Sequence, residues 1–314
     1  MKNNIIAPAL LITAMLALVL FQRALFDYAL YDYAQEPDIY IIYNGEKYQP
    51  ERFFIFAFIS YIFAFIIPVL FYIKLFKSEG YTKELYLSLP ELKNMTLVIY
   101  ATGALISGTA LLGSVIYYTG GAFDLSEAVI DARGNPVYDI SKIAAFILLP
   151  AVCEEVLFRS VMAREYEKYG ALCACLISSA SFAMLRFSFA LLPVYFFAGI
   201  ILYILTKTLG SIIPAIIAHA VYGFFNIYIW GRLSNVLGFE QNRLIFIFLA
   251  AVIFIIFIIA LINKAERIYS YKAYYNEPNP ETLQIKLPAK FAKVFLSPVF
   301  LAAVIIYFIC AATA

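Results

Sequence analysis

The chain has 314 residues, of which 64% are hydrophobic and 14% are charged, and its formal net charge is only +2. This composition lies far outside that of soluble domains, and apolar runs of about 20 residues recur along the chain. A transmembrane β-barrel would show short alternating segments instead. The sequence therefore predicts an all-α, polytopic bundle of transmembrane helices. It excludes an ordinary soluble enzyme, and no nucleic-acid partner is expected.

Apolar runs divide the chain into about nine predicted spans, with eight to nine as the range. The first run has no small-residue cleavage site before Arg23, so we interpret it as an uncleaved span. Near Arg186 two runs meet almost without a loop, which leaves open either a tight turn or one long tilted helix. The predicted spans cover residues 5–25, 52–73, 94–118, 142–162, 171–186, 188–206, 209–230, 244–263 and 294–312.

The segments between the spans alternate in charge. Residues 26–51 and 119–141 are acidic, whereas residues 74–93 and 264–293 are basic. Because basic loops are retained in the cytoplasm, the pattern predicts a multi-pass protein of the cell membrane with a cytoplasmic N-terminus and an external C-terminus.

The predicted organisation has three segments. Residues 1–142 hold the N-terminal helices, residues 143–230 form a core that carries the polar motifs, and residues 231–314 hold the C-terminal helices with the basic cytoplasmic segment 264–293. In the third span, Gly103 and Gly108 belong to a series of small residues that predicts close helix packing. The four cysteines lie in apolar runs without metal-ligand spacing and are expected to be packed thiols.

The segment from Glu154 to Arg159 places three ionisable residues within a predicted span. Each costs about 3 kcal/mol or more at the centre of a membrane helix, so the default interpretation is a functional site. Glu155 and Arg159 are four residues apart on one helix face and can form an ion pair. Glu154 is rotated by about 100° from Glu155, which leaves its carboxylate available.

His219 is the only histidine of the chain and lies within the seventh predicted span. Asn226 follows seven residues later and returns almost to the same helix face, while Gly223 occupies the nearer position on that face. A buried imidazole and a carboxamide can donate hydrogen bonds to an oxyanion, and Glu154 could act as a general base. Together these groups could activate water and hydrolyse an amide within the membrane.

Between these two sites the chain carries Phe182, Gly199 and the pair Gly210-Ser211. The order and spacing of all these motifs resemble the CPBP family of intramembrane proteases (CAAX protease and bacteriocin-processing, also called Abi), which includes the CAAX prenyl endopeptidase Rce1. The resemblance implies a helix bundle with a cavity open toward the cytoplasm. It implies that Glu154 activates water, that His219 with Asn226 binds the oxyanion, and that Glu155 and Arg159 have an orienting role.

Two positions depart from the family pattern. The second family motif has a histidine four residues after its phenylalanine, where this chain has Arg186. The third motif has an asparagine four residues after its histidine, where this chain has Gly223. An arginine cannot accept a proton, and Arg186 is expected to pair with Glu154 or Glu155. One histidine and two adjacent glutamates do not make the usual zinc ligand set, so no metal or other cofactor is expected.

Three functions remain open from the sequence. The first is an intramembrane endopeptidase in which Glu154 activates water to hydrolyse a peptide bond at or in the membrane. The second is a catalytically silent scaffold of the same family that binds a membrane or envelope partner, which the replacement of the motif histidine by Arg186 favours. The third is a small transporter or lipid-handling protein that uses Glu154 and Glu155 as a proton relay. Expected partners are membrane lipids and a membrane-anchored peptide or protein, and an ion-pair role for Arg186 is favoured over binding of a substrate carboxylate.

Overall fold

The computed structural model describes residues 7–29, 41–43, 46–76, 94–119, 136–236, 242–275 and 287–313. The larger parts of the predicted loops 74–93 and 119–141 lie outside the described residues.

The described residues form helices and one small hairpin. The first half contains α1 (Ala7–Ala29), β1 (Ile41–Tyr43), β2 (Glu46–Tyr48), α2 (Pro50–Tyr61), the π-helix π1 (Ile62–Ile66), α3 (Ile67–Phe76), α4 (Met95–Tyr118), α5 (Pro136–Ile143), π2 (Ala144–Leu148), α6 (Leu149–Glu155), π3 (Val156–Ala163) and α7 (Arg164–Glu167). The second half contains α8 (Ala171–Met184), α9 (Leu192–Leu209), α10 (Ile213–Phe224), π4 (Phe225–Trp230), α11 (Gly231–Val236), α12 (Arg243–Tyr275), α13 (Leu287–Phe295) and α14 (Pro298–Thr313).

The predicted fold class, an all-α transmembrane bundle, is confirmed. Five helices of the described chain are long and apolar enough to cross a membrane, or six if the pair α13–α14, bent by 58°, counts as one span. The predicted count of about nine is not confirmed. Two shorter apolar stretches, Ala7–Phe21 within α1 and Ala171–Met184 in α8, are not counted, and the helix that carries Glu154 and Arg159 is not among the candidates.

A single continuous helical rod from α5 to α7 carries the Glu-Glu motif. It begins at Pro136, within the stretch predicted as a loop, because proline suits the first turn of a helix. Two π-helical segments interrupt it, π2 before Pro150 and π3 directly after Glu155. Such wide turns are often found at functional sites, and the hydrophobic period of the sequence did not predict them.

The structure resolves the boundary that the sequence left open near Arg186. Helix α8 ends at Met184 and α9 begins at Leu192, so the two runs are joined by a turn in which Phe187 has a positive φ of 47°. The next boundary also differs from the prediction, because Gly210 adopts a left-handed conformation with φ of 68° and ends α9, and α10 starts only at Ile213.

Helices α4 and α9 form the centre of the bundle. Helix α4 packs against α9, α10 and α12, and α9 packs against α8 and α10. The predicted close packing of small residues is present, since a Cβ atom at Gly103 would lie 2.4 Å from the ring of Phe257, and one at Gly108 would lie 2.4 Å from Phe197. All four cysteines are buried and free, as expected.

Two features of the C-terminal and N-terminal segments were not predicted. Helix α12 continues through Lys264 to Tyr275, so residues 264–275 of the basic segment 264–293 are helical and extend the preceding span. In the acidic segment 26–51, β1 and β2 pair antiparallel, with Ile41 opposite Tyr48.

Candidate active site

The candidate site lies where α6, π3, α8, α9 and α10 meet, and Glu155 is its buried centre. Glu155 is the last residue of α6 and is fully inaccessible. Its Oε1 accepts a hydrogen bond from Nη1 of Arg159 at 3.1 Å and lies 3.0 Å from Nδ1 of His219. The predicted ion pair between Glu155 and Arg159 is therefore present, and His219 joins it from α10.

Arg159 is one of the largest completely buried side chains of the protein. Besides Glu155, its guanidinium donates to the carbonyl oxygen of Gly199 on α9 at 3.2 Å and lies 4.7 Å from the ring centre of Phe182 on α8. Gly199 also permits the close approach of α9 to α8, because a Cβ atom there would lie 2.7 Å from Cα of Ser179. Arg159 thus links three helices through charge, hydrogen bonding and cation–π contact.

Glu154 is not left available, contrary to the expectation from its position on the helix. Its Oε2 accepts from Nη2 of Arg186 at 3.3 Å, and its Oε1 lies 3.5 Å from the hydroxyl of Tyr61, at the outer limit of a hydrogen bond. The expected pairing of Arg186 with a motif carboxylate is thus present, and the partner is Glu154. The Glu154 side chain is 3% exposed and that of Arg186 is 19% exposed, so the pair lies at the edge of the buried region.

The contact with Glu155 decides the chemistry available to His219. An ionised carboxylate only accepts hydrogen bonds, so Nδ1 of His219 carries the proton in this contact. A neutral imidazole then has an unprotonated Nε2, which accepts but does not donate. An oxyanion role for His219 through Nε2 would therefore require the doubly protonated ring.

Asn226 and Gly223 differ in what they offer to the site. Asn226 is buried in the π-helix π4, directly after the regular part of α10, and its Oδ1 has no hydrogen-bond partner among the described residues. The face shared by His219 and Asn226 was predicted for a regular α-helix, and π4 interrupts that regularity; no hydrogen bond joins the two side chains in the described structure. A Cβ atom at Gly223 would meet its nearest neighbour, Ile147, at 3.6 Å, so packing does not require glycine there.

Three residues that contact the site or the helices that carry it were not found from the sequence. Tyr61 reaches Glu154 from the end of α2, 93 positions away, and Tyr195 on α9 lies 4.8 Å from the guanidinium of Arg186. Lys142 on α5 is buried and lies 4.9 Å from the ring centre of Tyr228 on π4. Only Lys142 gave a sequence signal, as a cation at the edge of an apolar run.

The donor set does not fit a metal ion. Within the described residues, no group of three or more histidine, cysteine, aspartate or glutamate side chains is arranged to hold one. At the site itself, the single histidine and Glu155 are already in contact with each other, and Glu154 is in contact with Arg186.

Comparison with known proteins assigns a family to this region. Residues 136–225 match the family described as Type II CAAX prenyl endopeptidase Rce1-like. The chain carries an Rce1-like domain. The match takes in Glu154, Arg159, Arg186 and His219 and ends one residue before Asn226, and it covers fewer than a third of the 314 residues. No curated protein and no solved structure shows a significant match.

The apolar helices make this chain a multi-pass membrane protein, and residues 136–225 are similar to the Rce1-like family. The resemblance inferred from the motif order is confirmed for this segment. The roles of the individual site residues stay predictions.

Proposed function

We propose that this chain is a catalytically silent member of the Rce1-like group, which binds a membrane-anchored peptide or protein without hydrolysing it. The observation that carries the proposal is the ion pair between Arg186 and Glu154, at 3.3 Å. It ties the carboxylate that would have to activate water to the residue that stands in place of the second-motif histidine.

Hydrolysis would require two acts that this arrangement opposes. A general base must accept a proton from water, and Glu154 instead accepts a hydrogen bond from a cation that never gives up its proton at ordinary pH. The oxyanion that forms must be bound by donors aimed at it. Nδ1 of His219 is in contact with Glu155 at 3.0 Å, and Gly223 offers no side chain to complete the pair.

A second candidate is an endopeptidase that becomes active when its substrate displaces Arg186. The Arg186 side chain is 19% exposed, and the described ion pair has a single contact, so a substrate carboxylate could draw the guanidinium away through a bidentate pair. Glu154 would then take a proton from a water molecule while the oxygen of that water attacks the peptide carbonyl carbon. The same proton would pass to the leaving amine when the carbon–nitrogen bond breaks.

The two candidates differ in a cleavage assay. The purified chain is reconstituted in proteoliposomes with a farnesylated peptide that ends in a free carboxylate, and Glu154→Gln is measured beside the unsubstituted protein. The silent scaffold predicts equal binding by both proteins and no cleavage above that of empty liposomes. Cleavage that Glu154→Gln abolishes would contradict the silent scaffold. The displaced-arginine candidate further requires that the amidated peptide is not cleaved.

The proposal also includes the partners, the cofactors and the membrane orientation of the protein. Its partners are membrane lipids and a membrane-anchored peptide or protein, and no cofactor or metal takes part. The protein lies in the cell membrane with the basic segments toward the cytoplasm, the N-terminus inside and the C-terminus outside, following the distribution of lysine and arginine between spans.

A further inference from the structure

A groove of about 600 Å³ lies between the beginning of α4 and the second half of α12, lined by residues of neither motif nor candidate site. Thr96 and Tyr100 of α4 form one wall, and Asn263, Lys264 and Arg267 of α12 contribute to the other. The groove therefore combines two cations with hydroxyl and amide groups that can donate hydrogen bonds.

The packing of the two helices explains where the groove opens. Helices α4 and α12 run antiparallel and approach closely at Gly103, where a Cβ atom would lie 2.4 Å from the ring of Phe257. One turn closer to the start of α4, the residue on this face is Tyr100 instead of a glycine, and Tyr100 lines the groove. The helices are held together by the glycine contact, and the larger side chains beyond it line the space between them.

The position of Lys264 along α12 places the groove at the polar edge of the membrane. No ionisable residue occurs between Arg243 and Lys264. At 1.5 Å per residue this apolar stretch spans about 32 Å, which matches the hydrocarbon thickness of about 30 Å. The next turns of α12, with Lys264 and Arg267, then lie at the level of the lipid headgroups.

The charges of the groove favour a phosphate group. Lys264 and Arg267 are three residues apart on one helix face, and within the described part of the chain no ion pair is recorded for either of them. Arg267 is exposed and Lys264 is half-buried. Glu266 is the one carboxylate in the lining and leaves the groove with a net positive charge.

A second, apolar groove lies on the opposite face of α12, and Glu266 borders both grooves. It measures about 510 Å³ and lies between α9 and α12, where Ile200, Ile204, Ile258 and Ile262 line it. Of the two, the basic groove has the form that an anionic headgroup needs, since basic pockets between membrane helices bind such headgroups.

We infer that the α4–α12 groove binds the headgroup of an anionic phospholipid, with its phosphate on Lys264 and Arg267. Thr96, Tyr100 and Asn263 donate hydrogen bonds to the remaining headgroup oxygens. This site is independent of the proposed peptide-binding function and of Glu154.

The test measures lipid binding to the full chain in a neutral detergent by native mass spectrometry, with phosphatidylglycerol and phosphatidylcholine as probes. Phosphatidylglycerol binds more tightly than phosphatidylcholine, and Lys264→Gln with Arg267→Gln weakens it by roughly tenfold or more. A matched variant, Lys290→Gln with Lys293→Gln, removes the same charge from α13 and leaves the affinity unchanged. Glu266→Gln removes the opposing charge and strengthens binding by roughly threefold, a gain that misfolding cannot produce.

Three outcomes would overturn the inference. Equal affinity for the two lipids would remove the headgroup selectivity. Equal loss in the groove variant and in the α13 variant would reduce the effect to net charge. Displacement of the lipid by an excess of inorganic phosphate would show a site for free phosphate instead of a lipid.

Discussion

Glu154 and Glu155 are neighbours in the sequence but lie in two different environments. Glu155 is inaccessible, and one of its oxygens contacts both Arg159 and His219. Glu154 lies at the edge of the same region, where its partner Arg186 comes from a turn and remains 19% exposed. The centre is thus a buried three-residue network, and the edge is an ion pair with one partly exposed member.

The difference in burial suggests a structural role for Glu155 and a role in reactivity for Glu154. A charge buried with several fixed partners is strongly destabilising when one partner is removed, because the other is left without compensation. A pair that is open on one side can be hydrated when it breaks. We therefore expect the Glu155 network to hold the helices together and the Glu154–Arg186 pair to control whether a carboxylate is available in the site.

The largest effect is expected from Arg159→Leu. It leaves Glu155 buried without a counter-charge and removes the bond to the Gly199 carbonyl, so the free energy of unfolding in detergent should fall by about 3–5 kcal/mol. The matched control is Arg232→Leu at an exposed arginine, which should change it by less than about 0.5 kcal/mol. Equal effects at the two positions would show that the Glu155 network does not stabilise the fold.

Gly199→Ala should have the next largest effect. The new methyl group would lie 2.7 Å from Cα of Ser179 and force α8 and α9 apart, at a cost of about 1–3 kcal/mol in the free energy of unfolding. Gly223→Ala is the matched control in α10, where the nearest atom is 3.6 Å away. It should be neutral or stabilise by up to about 1 kcal/mol, the usual gain of alanine over glycine in a helix. Similar losses in both variants would contradict the packing at Gly199.

A smaller effect is expected from Arg186→Gln. The variant removes one charge-assisted hydrogen bond at a partly exposed position, so the free energy of unfolding should fall by about 1–2 kcal/mol. This loss in the free energy of unfolding is to be compared with the loss caused by Arg159→Leu. A loss as large as that of Arg159→Leu would show that the edge pair is as structural as the buried network.

The smallest effect is expected at the surface pair of Lys207 with Glu167. Their side chains are 40% and 29% exposed and lie 2.8 Å apart. Lys207→Gln should change the free energy of unfolding by less than about 0.5 kcal/mol, and the change should vanish in 1 M salt because exposed charges are screened. A salt-independent loss above 1 kcal/mol would contradict the ranking of pairs by burial.

Contacts within one helix could be predicted from the sequence. The spacing of Glu155 and Arg159 fixed their ion pair, because residues four apart on a helix are neighbours whatever surrounds them. The glycine at position 103 predicted a close helix contact for the same local reason. Arg186 was expected to find a carboxylate because an unpaired cation in an apolar run is costly.

Contacts between helices could not be assigned in this way. The sequence does not say that His219 meets Glu155 instead of Glu154, since that choice depends on how α10 is rotated against α6. Tyr61 gave no signal at all, because it lies in the middle of the predicted span 52–73 and nothing in its spacing relates it to Glu154. The π-helices also escaped prediction, since they depend on a local widening that leaves the hydrophobic period almost unchanged.

The most direct test of this account is the interaction free energy between Glu154 and Arg186, measured as a double-mutant cycle of unfolding with Glu154→Gln, Arg186→Gln and the combined variant. If Arg186 occupies Glu154, the two substitutions are coupled by about 1–2 kcal/mol. If their effects add to within about 0.3 kcal/mol, the two side chains do not interact. Glu154 would then be free to act as a base, and the silent-scaffold account would be wrong.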